Sequence, residues 1–181
     1  MHKPALVSVM TSHAMVYSLR FESYGWATVI VSDMTGMLSI TSDWGNWSHR
    51  WNPAHLGTPP PSLTEFIARG SYDYLANKLI PGGESTVLDI DETKLEWKRE
   101  ILRQRRANDI VASRARELWD DVCAFDWDQL GQMYPSWDLV DDPWLLNKNR
   151  PAPEYLALTT IVLPALVGAI RERLSTVPGF S

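Results

Sequence analysis

Two groupings in this chain bring together side chains able to do metal chemistry. His49 and His55 supply imidazole nitrogens, with Asp33 and Asp43 as nearby carboxylates, the ligand types that a zinc ion takes. Their spacing fits no standard zinc site, and no second Cys or His pair follows. On an extended segment Trp47, His49 and Trp51 share one face, which makes His49 a partner in an aromatic cluster rather than a ligand. The second grouping, Asp89-Ile90-Asp91-Glu92-Thr93-Lys94, has the acidic-x-Lys arrangement with which metal-dependent nucleases hold a divalent cation and stabilise a developing charge. That chemistry needs the edge of a strand, whereas Glu92 and Lys94 read as the first turn of a solvated helix. There is no Gly-x-Ser-x-Gly, no glycine-rich phosphate loop and no Cys/His pairing, so nucleophilic hydrolysis and nucleotide-dependent chemistry have no motif to rest on. No catalytic residue, metal ligand or cofactor is assigned on these grounds. Cys123 is the sole cysteine. It cannot form an intramolecular disulfide, fits a reducing compartment and is expected as a small buried hydrophobe.

Two charged surfaces remain. Asp120, Asp121, Asp126, Asp128, Asp138, Asp141 and Asp142 are interspersed with Trp119, Trp127, Trp137 and Trp144. Carboxylates of this kind can meet the Arg and Lys of a basic groove while tryptophans supply buried anchors; the simpler reading is a solvated acidic surface over core tryptophans. From this segment Asp126, Asp128, Trp137, Asp138, Asp141, Asp142 and Trp144 are the expected partner-binding residues. The basic set, Lys98, Arg99, Arg103, Arg105, Arg106, Arg114 and Arg116, is expected as a solvated helix end or an intramolecular complement to the acidic segment rather than a nucleic-acid site. A formal net charge of −5 argues against general nucleic-acid binding, which rests on basic groups displacing counterions from phosphates.

The elements that must position these residues follow from periodicity. Met15, Tyr17, Leu19 and Phe21 alternate as in a half-covered strand. Trp26 to Ser32 is a second strand, with Val29 and Val31 on one face and Trp26, Thr28 and Ile30 on the other. Met37 to Asp43 is a third, and Trp47 to Trp51 either continues it past a bulge at Gly45 or returns as a fourth. Connections this short require an antiparallel meander. Asn52 to Pro61 is a proline-rich loop. Ser62 and Glu65 form a capping box for a helix, and a second short helix covers Tyr72 to Ile80. Asp91 and Glu92 open, and Arg103, Arg105 and Arg106 close, a longer helix whose apolar stripe reads as Leu95, Ile101 and Leu102. Val111, Ala115, Leu118, Val122 and Phe125 mark another. Asp126 to Trp144 reads as loop with short helical turns, and Asn147 to Pro153 as a break. In the last helix Leu156, Thr160, Leu163, Val167, Ile170 and Leu174 form one face, with a kink at Pro164. The expected fold is α+β in a single domain over residues 1–181, a meander of three to four strands followed by four to five helices packed mainly on one face. Residues 1–13 are expected as a loosely ordered segment or an extra edge strand.

Hydrophobic residues at 45% and charged residues at 22% are ordinary for a globular protein; nine tryptophans are not, and point to a Trp-rich core or an exposed aromatic face. No signal-peptide pattern is read at Met1-His2-Lys3-Pro4. The most apolar run, Tyr155 to Ile170, is interrupted by Thr159, Thr160, Pro164 and Gly168 and is expected as a core helix rather than a membrane span, which needs roughly twenty apolar residues.

Ser42-Asp43-Trp44-Gly45-Asn46-Trp47-Ser48, then Trp51, Phe66, Ile67, Tyr74, Leu75, Lys78 and Leu79, resemble a pattern in uncharacterised accessory proteins of tailed phages and prophages. The likeness continues through the charged helix at Thr93 to Arg106 and the last helix at Leu163-Pro164-Ala165-Leu166. It brings no catalytic or binding residues to carry over. It implies a phage origin, and with it a small protein that acts on host machinery. The expectation is therefore a non-catalytic protein of the host cytosol that binds a host protein through a basic groove. An inhibitor of a defence or nucleic-acid-handling complex, such as a CRISPR effector, fits that description. A metal-dependent nuclease is the competing reading.

Overall fold

A computed structural model describes residues 11, 13–22, 25–52, 61–80, 82, 85–127 and 139–176. The first half of the chain is a meander of strands β1 (Met15–Arg20), β2 (Trp26–Ser32), β3 (Met37–Ser42) and β4 (Gly45–Arg50), hydrogen-bonded in that order. All neighbours are antiparallel, with Met15 opposite Val31, Val31 opposite Leu38 and Leu38 opposite His49. Gly45 is thus not a bulge. Asp43 and Trp44 form a tight turn, and the chain returns as a fourth strand. Residues 1–10 and 12, and the proline-rich loop from Pro53 to Pro60, lie outside the described residues.

Period-two alternation decides which side of the sheet is covered. Ala27, Val29, Val31, Leu38, Ile40, Trp47 and Trp51 are all buried, with Tyr17, Leu19 and Phe21 packed against them. Helices α1 (Leu63–Arg69) and α2 (Tyr72–Leu79) share that core through Leu63, Ile67, Leu75 and Leu79. α1 starts where the sequence places it: Glu65 N donates to Ser62 Oγ at 3.1 Å and Ser62 N to Glu65 Oε2 at 3.2 Å, the reciprocal capping box. Asp33 Oδ1 accepts from Thr64 N at 2.8 Å and from Thr64 Oγ1 at 3.0 Å, tying the β2–β3 turn to the first turn of α1.

The final helix differs from expectation. α5 (Pro153–Ala157) and α6 (Leu163–Ser175) are joined without a break by a π turn over Leu158–Val162, in which Leu163 N donates to Leu158 O, directly before Pro164, which has no N–H to give. The wider turn contains an extra residue and rotates everything before it by about 100° relative to a regular helix. Leu156 and Thr160 consequently face outward, while Leu158, Val162, Leu163, Leu166, Val167 and Ile170 enter the core. The continuous helix, Pro153–Ser175, has 23 residues and a mean hydropathy of 1.6 over its most apolar window. It is therefore long and apolar enough to cross a membrane by length and composition, which the interrupted sequence run had not suggested. Its buried side is part of the core against the sheet.

By its contacts the chain divides into two compact units, one drawn from residues up to Ser85 and from Ala152 onward, the other Thr86–Pro151. In the second unit α3 (Ile90–Ala107) and α4 (Ala112–Ala124) pair around Trp97, Ile101, Leu118, Val122, Trp127 and Leu139. A short ribbon, β5 (Thr86–Leu88) with β6 (Asn149–Pro151), closes it; the break read at Asn147 to Pro153 contains this second strand. The buried stripe of α3 is Thr93, Trp97 and Ile101, an i, i+4, i+8 row, whereas Leu95 and Leu102 are exposed. Val111 is exposed too, and so is Cys123. The apolar spacing of α4 is real, but only Leu118 and Val122 are fully covered. The architecture is α+β, an N-terminal antiparallel sheet followed by helices.

Trp47→Ala and Trp51→Ala should each lower stability by about 3–5 kcal/mol, the range for large aromatic truncations in a core. Denaturant unfolding of the purified variants measures this, and two variants that unfold like the wild type would show that β4 contributes nothing to the core.

Candidate functional site

The aromatic strand builds one wall of a site. β4 and the residue after it carry Trp47, His49 and Trp51 on the core-facing side. The His49 and Trp51 rings meet edge to face at 4.4 Å, Trp51 lies 6.0 Å from Phe66 of α1, and Phe66 lies 5.8 Å from Tyr74 of α2. Lys78, one turn beyond Tyr74 on α2, sits 5.8 Å from the centre of that ring, within cation–π reach. Together with Arg50 and Asn52 these side chains line a hollow of about 320 Å3. Burial first, and the nearby Lys78 charge second, hold the His49 imidazole below its ordinary pKa of 6.5, so it is neutral at pH 7 and able to donate from one nitrogen and accept at the other. Trp51 is nine-tenths buried, and its indole N–H has no acceptor among the described residues.

Two glycines make room for the rings. A Cβ on Gly45, whose φ is 153°, would meet the Trp47 ring at 2.8 Å, and one on Gly25 would meet Trp44 at 2.5 Å. Trp44 itself occupies the turn and packs edge-on against Phe21 at 5.4 Å, on the core side rather than on the opposite face that a regular strand would give it.

The metal groupings of the sequence have other partners. Asp33 holds Thr64, as above, and Asp43 Oδ2 accepts from Trp26 N at 2.9 Å; His55 lies outside the described residues. Asp89 caps α3 by accepting from Glu92 N at 3.1 Å, Glu92 pairs with Arg99 at 2.8 Å, and Lys94 lies over Trp127. Among the described residues no three His, Cys, Asp or Glu side chains are grouped to hold a metal ion.

Of the expected partner-binding residues, Asp128, Trp137 and Asp138 lie outside the described residues. Asp126, Asp141 and Asp142 are exposed. Trp144 is 55% exposed and its neighbour Leu145 68%, on a short helical turn over Pro143–Leu146 closed by Leu145 N donating to Asp142 O at 3.0 Å and Asn147 N to Trp144 O at 3.1 Å. Trp127 is a core residue whose indole donates to Val122 O at 3.1 Å, and Trp119 is half-buried beneath Lys98. Three of the seven residues of the basic set are paired within their own unit: Arg99 with Glu92 and Glu96, Arg103 with Glu100 at 2.5 Å, and Arg114 with Glu117. The Arg103 hydrogen bond, above all, keeps the Glu100 carboxyl below its usual range.

Sequence reasoning missed the hollow. Its residues come from a strand and two helices, and only the phage-type pattern, which contains Trp51, Phe66, Tyr74 and Lys78, grouped them at all.

A family model for Phage_phiTE_072, a phage family, matches residues 9–172, which is nearly the whole chain. The protein belongs to this phage family. No curated protein matches the chain, and no solved structure does.

The depressed His49 pKa has a measurable consequence. NMR titration of the ring should show protonation below pH 6.5, and Lys78→Met should raise the midpoint only in part, because burial, the larger cause, remains. The unfolded chain binds this proton more readily, so stability falls as pH drops through 6.5 toward the folded value; a midpoint at or above 6.5 in the wild type would contradict the geometry.

Proposed function

We propose that this phage protein acts by stoichiometric binding to a host protein, with Asp141, Asp142 and Trp144 at the centre of the contact surface and Asp126 at its margin. The observation that carries the reading is the exposed pair Trp144 and Leu145 on a hydrogen-bonded turn directly after two exposed carboxylates. Large apolar side chains held in place supply desolvated anchors, and carboxylates around them select a basic partner surface. A groove that ordinarily holds phosphates offers that complement, so the target is a nucleic-acid-handling protein of the host, such as a component of a defence complex. Asp128, Trp137 and Asp138 extend the same acidic-aromatic segment in sequence and lie outside the described residues.

The test is affinity capture from host lysate with quantitative mass spectrometry, then binding kinetics with the purified partner. One host protein should be retained near one-to-one by the wild type and by Arg103→Glu with Arg106→Glu. It should be lost on Trp144→Ala and on Asp141→Lys with Asp142→Lys, with circular dichroism confirming each fold. Raising salt should slow association, since rim charges act mainly on the on-rate. Loss of the partner only in the arginine variant, or equal retention by all variants, would overturn the assignment.

A further inference from the structure

The hollow beside β4 differs in charge from the rest of this acidic chain. Arg50 and Lys78 line it, and none of its described lining residues is a carboxylate. Arg50 Nε donates to Thr35 O at 2.9 Å, which fixes the guanidinium and leaves its two terminal nitrogens for another acceptor. The Trp51, Phe66 and Tyr74 rings and the His49 imidazole line the same hollow.

We infer that this hollow is a binding site for a single nucleotide, its phosphate held by Arg50 and Lys78 and its base placed against the aromatic wall, where His49 can hydrogen-bond to it. Guanidinium and ammonium groups recognise phosphate, a planar base stacks on aromatic side chains, and the volume of about 320 Å3 lies at the lower end of the roughly 300–1,000 Å3 of small-ligand sites. The inference does not rest on the acidic surface proposed above: its residues belong to the other unit, and either reading can fail alone.

Isothermal titration of the full chain with AMP, GMP, CMP and UMP tests it, alongside adenosine, inorganic phosphate and a single-stranded thymidine oligonucleotide. At least one mononucleotide should bind saturably at sub-millimolar concentration, with adenosine and phosphate alone about tenfold weaker or more. Arg50→Glu with Lys78→Glu should abolish the heat, Tyr74→Ala should weaken binding, and His49→Phe, which keeps a ring and removes its hydrogen-bonding nitrogens, should weaken it for the preferred base; thermal unfolding near the wild-type midpoint shows that each variant is folded. No saturable heat with any mononucleotide, or binding that survives the double charge reversal, would overturn the proposal. So would phosphate binding as well as the nucleotide, or the oligonucleotide binding far more tightly than any monomer. Partner capture by the Arg50→Glu, Lys78→Glu variant should be unchanged, which separates failure of this site from failure of the acidic surface.

Discussion

The packing of Trp47 and Trp51 between the sheet and α1 and α2 is the constraint on which the first unit depends. Among the described residues β4 is the last strand of the sheet and pairs only with β3, and an edge strand has no second ladder of hydrogen bonds to hold it. The two indoles supply the hold instead: both are buried, and Trp51 extends the contact through Phe66 to Tyr74. Full burial of a large apolar side chain contributes about 1.5–3 kcal/mol, so two rings are a large share of a domain's roughly 5–15 kcal/mol of net stability. Gly45 exists in this motif because the Trp47 ring lies where a Cβ would be. The turn geometry, the strand and the core are thus one requirement read at three scales.

Much of this was legible in the sequence. Period-two alternation predicted β1 to β3 within a residue of their ends, and Ser62 with Glu65 marked the start of α1, because strand pleat and helix capping are local physics. What failed was non-local. Thr86–Leu88 and Asn149–Pro151 are too short to carry a period and pair across more than sixty positions, so the ribbon was invisible. The outward turn of Leu156 and Thr160 follows from a π turn that a regular 3.6-residue template cannot contain. On α3 the row Thr93, Trp97, Ile101 was hidden because its small polar member is buried: Thr93 Oγ1 accepts from Lys148 N at 2.9 Å, a satisfied contact that propensity does not report.

Charge is distributed unevenly, and the pattern matters for function. In the second unit, acidic and basic side chains of α3 and α4 neutralise one another along the helix surface, pairs that individually contribute little at exposed positions. Asp141, Asp142 and Trp144 are exposed together on one turn of the same unit. In the first unit Arg50 and Lys78 line the β4 hollow without an ion pair among the described residues, beside rings packed on the core. The residues of the phage-type pattern therefore do two things: Trp47 and Leu75 fill the interior, while Trp51, Phe66, Tyr74 and Lys78 also bound an accessible hollow.

The central claim, that aromatic packing rather than strand pairing holds β4, is tested most directly by native-state hydrogen exchange. The Trp51 amide donates to Gly36 O at 2.8 Å at the sheet's edge. If the indoles lock the strand, this amide should exchange only through unfolding of the whole unit, with protection equal to that of amides in the central strand β2. Exchange of Trp51 and its β4 neighbours far faster than β2 amides, with the unit otherwise folded, would show that the strand frays as a simple edge and would contradict the account.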